Sequence, residues 1–248
     1  MDRLFPAPVA DVTDEQILDW YVMPERPQGW VRFNFVASAD GAATVQGRSG
    51  GLGNRADLHV LHLLRRLADV LLVGAGTVRA EGYGGDLIGE EGRTWRVEHG
   101  LSEHPPVAVV SGRLDLDPGA PLFTEAVSRP IIVTATGADA RRRRELARVA
   151  DLVDAGEAFV DPATAVRALA ERGLVRVLSE GGPTLLGAFQ QAEAIDDLCL
   201  SLSPALVGGT APRIAVGAGE HLRRLQLAHV LESEGLLLLR YVAPPAAA

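Results

Sequence analysis

The chain has 248 residues, of which 47 % are hydrophobic and 23 % charged, values typical of a globular protein. Its net charge of −8 argues against a nucleic-acid partner, and its single cysteine, Cys199, cannot form an internal disulfide. No apolar segment reaches about eighteen residues and the N-terminus lacks a signal-peptide core, so the sequence predicts a cytoplasmic protein with no membrane association. It also contains no Cys/His cluster with zinc-ligand spacing, and no metal is expected.

Residues 1–29 are rich in proline and acidic residues and predict an N-terminal arm, packed on a single domain of residues 30–248. A short helix is expected in the arm from Asp14 to Tyr21. The alternation of side chains from Trp30 to Ser38 predicts the first strand of the domain. The glycine-rich segment from Thr44 to Gly53 follows, and it is either a mobile lid or a slack connection.

The segment from Asn54 to Ala68 predicts a helix that is capped by Asn54. Asp57 lies in its first turn, where a carboxylate favours the helix dipole and can also face a crevice. His59 and His62 are interpreted as ordinary helix residues because no third metal ligand accompanies them. The apolar face of this helix consists of Leu58, Leu61, Leu64 and Leu67.

Two further strands end in glycine turns that open a helix. The apolar run from Val70 to Val73 leads into Gly74-Ala75-Gly76-Thr77, and the run from Val175 to Leu178 leads to Gly181-Gly182, with Pro183 at the helix start. One such turn can be a plain tight connection. Two of them favour a nucleotide whose phosphates approach the backbone, although neither has the standard dinucleotide-binding spacing.

Two other strand ends carry side chains suited to a ligand. Asp40 follows the first strand, at a position where ligands commonly lie. Ser111-Gly112-Arg113 follow a strand from Val107 to Val110. The hydroxyl and guanidinium groups together suit a phosphate monoester such as the 2′-phosphate of NADP, or else they belong to an exposed turn.

The alternation of strands and helices predicts an α/β fold. It repeats about five times, which calls for a mostly parallel central sheet with helices on both faces. Three strand patterns near the end of the chain are not separated by helices and predict antiparallel edge strands. Because a long edge tends to be paired, a homodimer is expected. These last strand patterns run from Asp197 to Ser203, from Gln226 to Leu231 and from Gly235 to Val242.

Three segments, taken in order, resemble a known family. They are Ser38-Ala39-Asp40-Gly41, the stretch from Leu67 to Gly82, and SEGGPTLLGAF with IDDLCLSLSPALVGG, which ends at Gly209. This order resembles the riboflavin-biosynthesis reductase domain, the C-terminal part of a bifunctional deaminase/reductase, and most of all its stand-alone pyrimidine reductase branch. The resemblance implies a dihydrofolate-reductase-like, three-layer αβα fold.

The resemblance also implies an activity and the residues that serve it. NADPH is the implied hydride donor, and the implied substrate is 5-amino-6-(5-phosphoribosylamino)uracil, whose ribosyl group is reduced to ribityl. The implied cofactor-binding residues are Gly74, Gly76, Thr77, Ser111, Arg113, Glu180, Gly181, Gly182, Thr184 and Leu185. The implied substrate-binding residues are Asn34, Ser38, Asp57 and Glu81, and the candidate catalytic acids are Asp40, Asp57 and Glu81.

Two departures from the family pattern bear on function. The zinc deaminase signature is missing, so deamination is not expected. The family's Asp-Asp-Pro-x-Leu-x-x-Arg segment, which helps to hold the phosphoribosyl group, is replaced by residues 80–85, Ala-Glu-Gly-Tyr-Gly-Gly. Two alternatives therefore stay open: an NADPH-dependent reductase of the same fold acting on dihydrofolate or another pterin, and a non-catalytic NADPH-binding sensor.

Overall fold

The structure of the protein is a computed structural model that describes residues 1–217 and 219–244. The strands in this part of the chain are β1 (Asp2–Phe5), β2 (Trp30–Ser38), β3 (Val70–Gly74), β4 (Val107–Val110), β5 (Ile131–Thr134), β6 (Asp151–Asp154), β7 (Arg176–Ser179), β8 (Asp197–Ser203), β9 (Gln226–Ser233) and β10 (Leu236–Val242). The helices are α1 (Asp14–Tyr21), α2 (Arg55–Arg66), α3 (Ala75–Glu81), α4 (Gly89–Glu98), α5 (Pro121–Thr124), α6 (Ala140–Leu146), α7 (Pro162–Ala170) and α8 (Pro183–Gln191).

All these strands form one sheet in the order β1-β9-β10-β8-β2-β7-β3-β4-β5-β6. The strands from β8 to β6 in this order are parallel, whereas β10, β9 and β1 are added antiparallel. The predicted mostly parallel sheet with antiparallel C-terminal strands is therefore confirmed. One detail is corrected: β8 runs parallel to β2, because α8 precedes it and returns the chain in the same direction.

A buried ion cluster lies where the parallel and antiparallel parts of the sheet meet. Arg32 on β2 donates two hydrogen bonds to the Asp197 carboxylate on β8, at 3.0 and 2.6 Å. Arg240 on β10 donates to the same oxygen at 3.0 Å. Because the three side chains come from three adjacent strands, their pairing fixes the neighbours of β8 on both sides.

The N-terminal arm contributes a strand that the sequence did not predict. Strand β1 pairs antiparallel with β9, with Asp2 opposite Glu232. A partner so distant along the chain leaves no local signal, which is why the composition of residues 1–29 predicted only the helix α1. The pairing also places β1 outside β9, so the long C-terminal edge on which the predicted homodimer rests is covered by the chain itself.

Helices cover both faces of the sheet, as the alternating pattern of β3 illustrates. Val70 and Leu72 pack into a core with α7 and α8, while Leu71 packs on the other face with α1 and α2. A third cluster joins the ends of β3, β4 and β5 to α3, α5 and α6. The three-layer arrangement predicted from the sequence is confirmed.

Two of the helix starts that the sequence predicted carry clear capping signals. Thr13 and Gln16 form a capping box at α1, and the Asn54 side chain accepts a hydrogen bond from the backbone N–H of Asp57 at α2. Helix α4 was not predicted, and Ile88 at its N-cap makes no side-chain hydrogen bond there. Across the described residues, none of the helices has the length and apolar character needed to cross a membrane.

Candidate active site

The carboxyl ends of β2, β7, β3 and β4 open into a cavity of about 780 Å³. This volume is within the range of small-molecule and cofactor sites, and the place is where parallel α/β sheets bind ligands. The structure brings together at this cavity most of the residues that the sequence assigned to a site: Asn34, Asp57, Gly74, Gly76, Thr77, Glu81, Ser111, Arg113, Glu180, Gly181, Gly182, Thr184 and Leu185.

The two glycine turns lie side by side because β3 and β7 are neighbours in the sheet. The backbone N–H of Gly74 donates to the Gly181 carbonyl at 3.0 Å. Gly182 is the N-cap of α8 and has no side chain to cap it, so its first turn can offer backbone N–H groups to an anion. A Cβ built on Gly76 meets nothing within 4 Å, so the backbone there is open to a ligand.

The Ser111 to Arg113 segment lies at the β4 side of the same cavity. Ser111 is buried, and its carbonyl accepts a hydrogen bond from the Thr134 hydroxyl at 2.8 Å. Arg113 is exposed and lines the cavity. Nearby, Arg79 donates to the Asp115 carbonyl at 2.8 Å, so its guanidinium is held against that loop. The Asp115 carboxylate lines the same end and lies 3.6 Å from Arg79, so Arg113 supplies the excess positive charge there.

Asp57 occupies the opposite side of the cavity. Ser201, on β8, donates to Asp57 Oδ1 at 2.5 Å. Burial raises the pKa of the Asp57 carboxyl, and the hydrogen bond from Ser201 only partly offsets that effect. The predicted crevice-facing position of Asp57 agrees with the geometry.

Two leucines of the predicted apolar face of α2 line the cavity instead of entering the protein core. Leu58 is 56 % exposed, and it lines the cavity together with Leu61. The core side of α2 is formed by Val60, Leu63 and Leu64. The apolar periodicity is correct for a helix, but it cannot distinguish a face that packs on protein from one that borders a ligand site.

The glycine-rich loop of residues 44–53 is held over the cavity by Glu81, at the end of α3. Glu81 Oε1 accepts hydrogen bonds from the Ser49 backbone N–H at 2.9 Å and from the Ser49 hydroxyl at 3.0 Å. Gly47 and Gly50 of the loop also line the cavity. Glu81 therefore connects the substituted segment of residues 80–85 to the loop.

Glu180 belongs to a network that the sequence reasoning missed. Arg65 donates to both Glu180 oxygens, each at 2.7 Å, and also to the Leu87 carbonyl at 2.8 Å. The Tyr83 hydroxyl donates to Glu180 Oε2 at 3.1 Å. Arg65 and Glu180 are 115 positions apart in the sequence, so no local sequence pattern could predict that they pair. The structure thus shows Glu180 engaged with protein side chains in addition to lining the cavity.

Two of the predicted site residues, Ser38 and Asp40, are not among the residues that line the cavity. The Asp40 carboxylate accepts hydrogen bonds from the Ser38 hydroxyl and from the backbone N–H groups of Val207 and Gly208. These bonds, that of Ser38 first, lower the pKa of Asp40 to about 2. Because β2 is paired with β8 up to Ser38, the residues after it meet the segment after β8 and anchor that loop.

The comparisons with known proteins agree with this architecture. A sequence model of the RibD C-terminal domain matches residues 29–238, and the chain belongs to this family. The riboflavin biosynthesis protein RibD of Mycobacterium tuberculosis is 31 % identical over 72 % of this chain and 43 % of that protein. The 2,5-diamino-6-ribosylamino-4(3H)-pyrimidinone 5′-phosphate reductase of Archaeoglobus fulgidus is 26 % identical over 73 % of this chain and 82 % of that protein.

A solved structure also resembles most of the chain. A pyrimidine reductase-like protein from Corynebacterium diphtheriae matches with a TM-score of 0.83 and 26 % identity, covering 94 % of this chain and 99 % of that one. The family resemblance and the fold expected from it are therefore confirmed. The chain spans less than half the length of the Mycobacterium tuberculosis relative.

Proposed function

We propose that the protein is an NADPH-dependent reductase of the riboflavin pathway, which reduces the ribosyl group of 5-amino-6-(5-phosphoribosylamino)uracil to ribityl. The observation that carries the proposal is the presence, in one cavity, of two adjacent glycine turns and a half-buried carboxyl group, that of Asp57. The Archaeoglobus fulgidus relative is named a reductase of a ribosylaminopyrimidinone 5′-phosphate, which supports this class of substrate.

The arrangement of the sheet supports one orientation of the cofactor. Ser111 and Arg113 at β4 hold the phosphorylated ribose of its adenosine end, since a guanidinium pairs well with a phosphate monoester. The glycine turns at β3 and β7 hold the diphosphate. Asp57 is tied to β8, four strand spacings or about 19 Å from β4. The nicotinamide end is thereby directed to the Asp57 side.

Asp57 is the candidate acid whose surroundings suit a proton donor best. Its pKa is raised by burial, so it keeps a proton at higher pH than an exposed carboxyl group. Asp40 is ionised at neutral pH, and Glu81 is exposed and bound to Ser49. When bound, the reduced cofactor supplies the hydride; Asp57 supplies the proton, while Asn34 and Glu81 contact the substrate.

A second candidate, reduction of dihydrofolate or another pterin, is favoured by the charges of the substrate side. The chain contains no lysine. Among the described residues that line the cavity, Arg65 is paired with Glu180, while Arg79 and Arg113 lie at the β4 side. The substituted segment contributes Tyr83, which is buried and bonded to Glu180, and no cation for a substrate phosphate. An uncharged pterin ring, which carries no phosphate ester, suits such surroundings.

The experiment that tests both candidates is NADPH oxidation by the purified full-length chain. The phosphoribosylaminouracil, its 2,5-diaminopyrimidinone counterpart and dihydrofolate are offered separately, with NADH in place of NADPH as a parallel series. Turnover of either phosphoribosyl substrate supports the riboflavin-pathway reductase. Turnover of dihydrofolate alone supports the second candidate, and NADPH binding without turnover of any of the three contradicts both.

The homodimer and the cytoplasmic location predicted from the sequence remain predictions. Support for a dimer rests on β1, whose Leu4 and Phe5 are 48 % and 41 % exposed at the outer edge of the sheet. Sedimentation equilibrium of wild type and of a Phe5→Asp variant measures whether this edge joins two copies. If wild type and Phe5→Asp both sediment with the mass of a monomer, the predicted dimer is contradicted.

A further inference from the structure

Ser201 lies behind Asp57, as seen from the cavity. Asp57 lines the cavity, whereas Ser201 is 3 % exposed and sits in the middle of β8, opposite Val36 of β2. Its hydroxyl donates to Asp57 Oδ1 at 2.5 Å. This bond ties the first turn of α2 to the sheet and engages one of the two carboxyl oxygens from the protein side.

The other oxygen, Oδ2, occupies the space that a side chain on Gly53 would take. A Cβ built on Gly53 lies closer to Asp57 Oδ2 than real Cβ atoms approach. Gly53 lines the cavity, so Oδ2 lies at the cavity wall. The Asn54 side chain accepts a hydrogen bond from the Asp57 backbone N–H at 3.1 Å, which fixes the start of the side chain. The carboxyl group is thus held at the backbone and at Oδ1, with its second oxygen beside Gly53.

We propose that Ser201 is a positioning residue for the reduction: by donating to Oδ1, it leaves Oδ2, beside Gly53, as the oxygen that carries the proton given to the substrate. The proposal rests on the proposed function for the role of Asp57. When bound, the reduced nicotinamide cofactor would supply the hydride that adds to the electrophilic carbon and would itself be oxidised. The O–H bond at Oδ2 breaks as its proton passes to the substrate heteroatom. Asp57 is left as a carboxylate that Ser201 stabilises, and water restores its proton.

The other ionisable groups around the cavity have partners of their own or lie at its far side. Arg65 is paired with Glu180, Tyr83 donates to Glu180, and Glu81 accepts from Ser49. Arg79, Arg113 and Asp115 belong to the β4 side, where Asp115 lies 3.6 Å from Arg79. His59, on the same helix as Asp57, bonds to Asp14 on α1. Burial raises the pKa of Asp57 and the Ser201 hydrogen bond lowers it, so Ser201 is the neighbouring side chain through which this pKa can be changed selectively.

The first measurement is the pKa of Asp57 itself, from NMR titration of the full chain labelled at the aspartate side-chain carbons, with the resonance assigned by its loss in Asp57→Asn. Ser201→Ala is expected to raise this pKa by about one pH unit, because a bond to the charged form is lost. Ser201→Thr, which keeps the hydroxyl, is expected to restore it. An Asp57 pKa that is the same in Ser201→Ala and wild type overturns the proposal.

The second measurement is the pH dependence of kcat with whichever substrate the protein turns over. The rate falls at high pH as Asp57 loses its proton, and Ser201→Ala is expected to move that limb upward by the change in pKa seen by NMR. Gly53→Ala, which displaces Oδ2 and keeps Ser201, is expected to lower kcat by at least about tenfold with little change in NADPH affinity. Full activity in Gly53→Ala contradicts the assignment of the proton to Oδ2.

The two measurements separate failure of this proposal from failure of the proposed function. If Asp57→Asn keeps full kcat, Asp57 is not the acid and the positioning role falls with it. If Asp57→Asn is inactive but Ser201→Ala keeps the wild-type pH profile, the acid stands and Ser201 alone is refuted. Thermal unfolding of each variant shows that the fold is retained.

Discussion

A Cβ built on Gly182 lies 2.8 Å from Thr77 Oγ1, so the two glycine turns are in contact with each other as well as with the cavity. Substitution of Gly182 therefore disturbs the protein itself, and weaker cofactor binding in such a variant has two explanations. Gly76 differs, because its absent side chain faces open space at the same cavity. A substitution at Gly76 therefore tests whether a side chain blocks the ligand without also distorting the turn.

Gly76→Ala is expected to weaken NADPH binding while stabilising the protein. Gly76 lies in the first turn of α3, where alanine gains up to about 1 kcal/mol over glycine in helix propensity. Its methyl group occupies space predicted for the cofactor, so the dissociation constant is expected to rise by about tenfold or more. Fluorescence titration with NADPH and urea unfolding measure the two effects. Unchanged affinity in the stabilised variant contradicts the assignment of this turn to the cofactor.

Arg113→Ala is expected to weaken NADPH binding much more than NADH binding. Loss of a charge-assisted hydrogen bond to the additional phosphate costs about 1.5–3 kcal/mol, or roughly 10- to 100-fold in the dissociation constant. Arg79→Ala is the matched control, since Arg79 is held by Asp115 nearby and is expected to affect both cofactors alike. If Arg113→Ala weakens the binding of NADPH and NADH equally, Arg113 does not recognise the additional phosphate.

Arg65→Met is expected to destabilise the protein by about 3–5 kcal/mol, because it leaves a buried carboxylate without its cation. Only 5 % of the Glu180 side chain and 12 % of the Arg65 side chain are exposed. Adding Glu180→Gln to Arg65→Met removes the unpaired charge and is expected to recover part of the loss. Urea unfolding of Arg65→Met, Glu180→Gln and the double variant gives the coupling free energy between the two side chains. Additive losses would show that the pair is not a unit.

What the sequence predicted correctly depends on local patterns. Each correct prediction rests on a few neighbouring residues. Examples are the two segments in which a strand, a glycine turn and a helix follow one another, the capping residue Asn54, and the individual strand and helix patterns. The contacts it missed join distant parts of the chain: Arg65 to Glu180 across 115 positions and Ser201 to Asp57 across 144. Pairing of this kind is decided by the packed tertiary structure, which no local periodicity reports.

Two further differences have physical reasons of the same kind. Asp40 was expected at the substrate because it follows a strand, yet the pairing of β2 with β8 carries it to the loop at Val207 and Gly208. Leu58 was assigned to the apolar face of its helix because it is apolar and correctly spaced, and the structure shows that this part of the face borders the cavity. In both cases the sequence predicted the local secondary structure but not what the side chain contacts in the folded protein.

His229 gives a prediction for the pH dependence of stability. Burial, assisted by the nearby Arg240, lowers the pKa of His229 from 6.5 to about 4. Between these values the unfolded chain binds more protons at this site than the folded one, so acidification through this window removes stability, in total about 3 kcal/mol. The folded protein keeps the neutral ring packed edge-on against Tyr21, with ring centroids 4.5 Å apart.

His229→Phe retains an aromatic ring of similar size and removes the titration. The free energy of unfolding of this variant is therefore expected to change less with pH between about 6.5 and 4 than that of wild type. Urea unfolding at several pH values in this window, with wild type and variant side by side, measures the difference in slope. An identical slope means that His229 takes up its proton equally in the folded and unfolded states, which contradicts the lowered pKa.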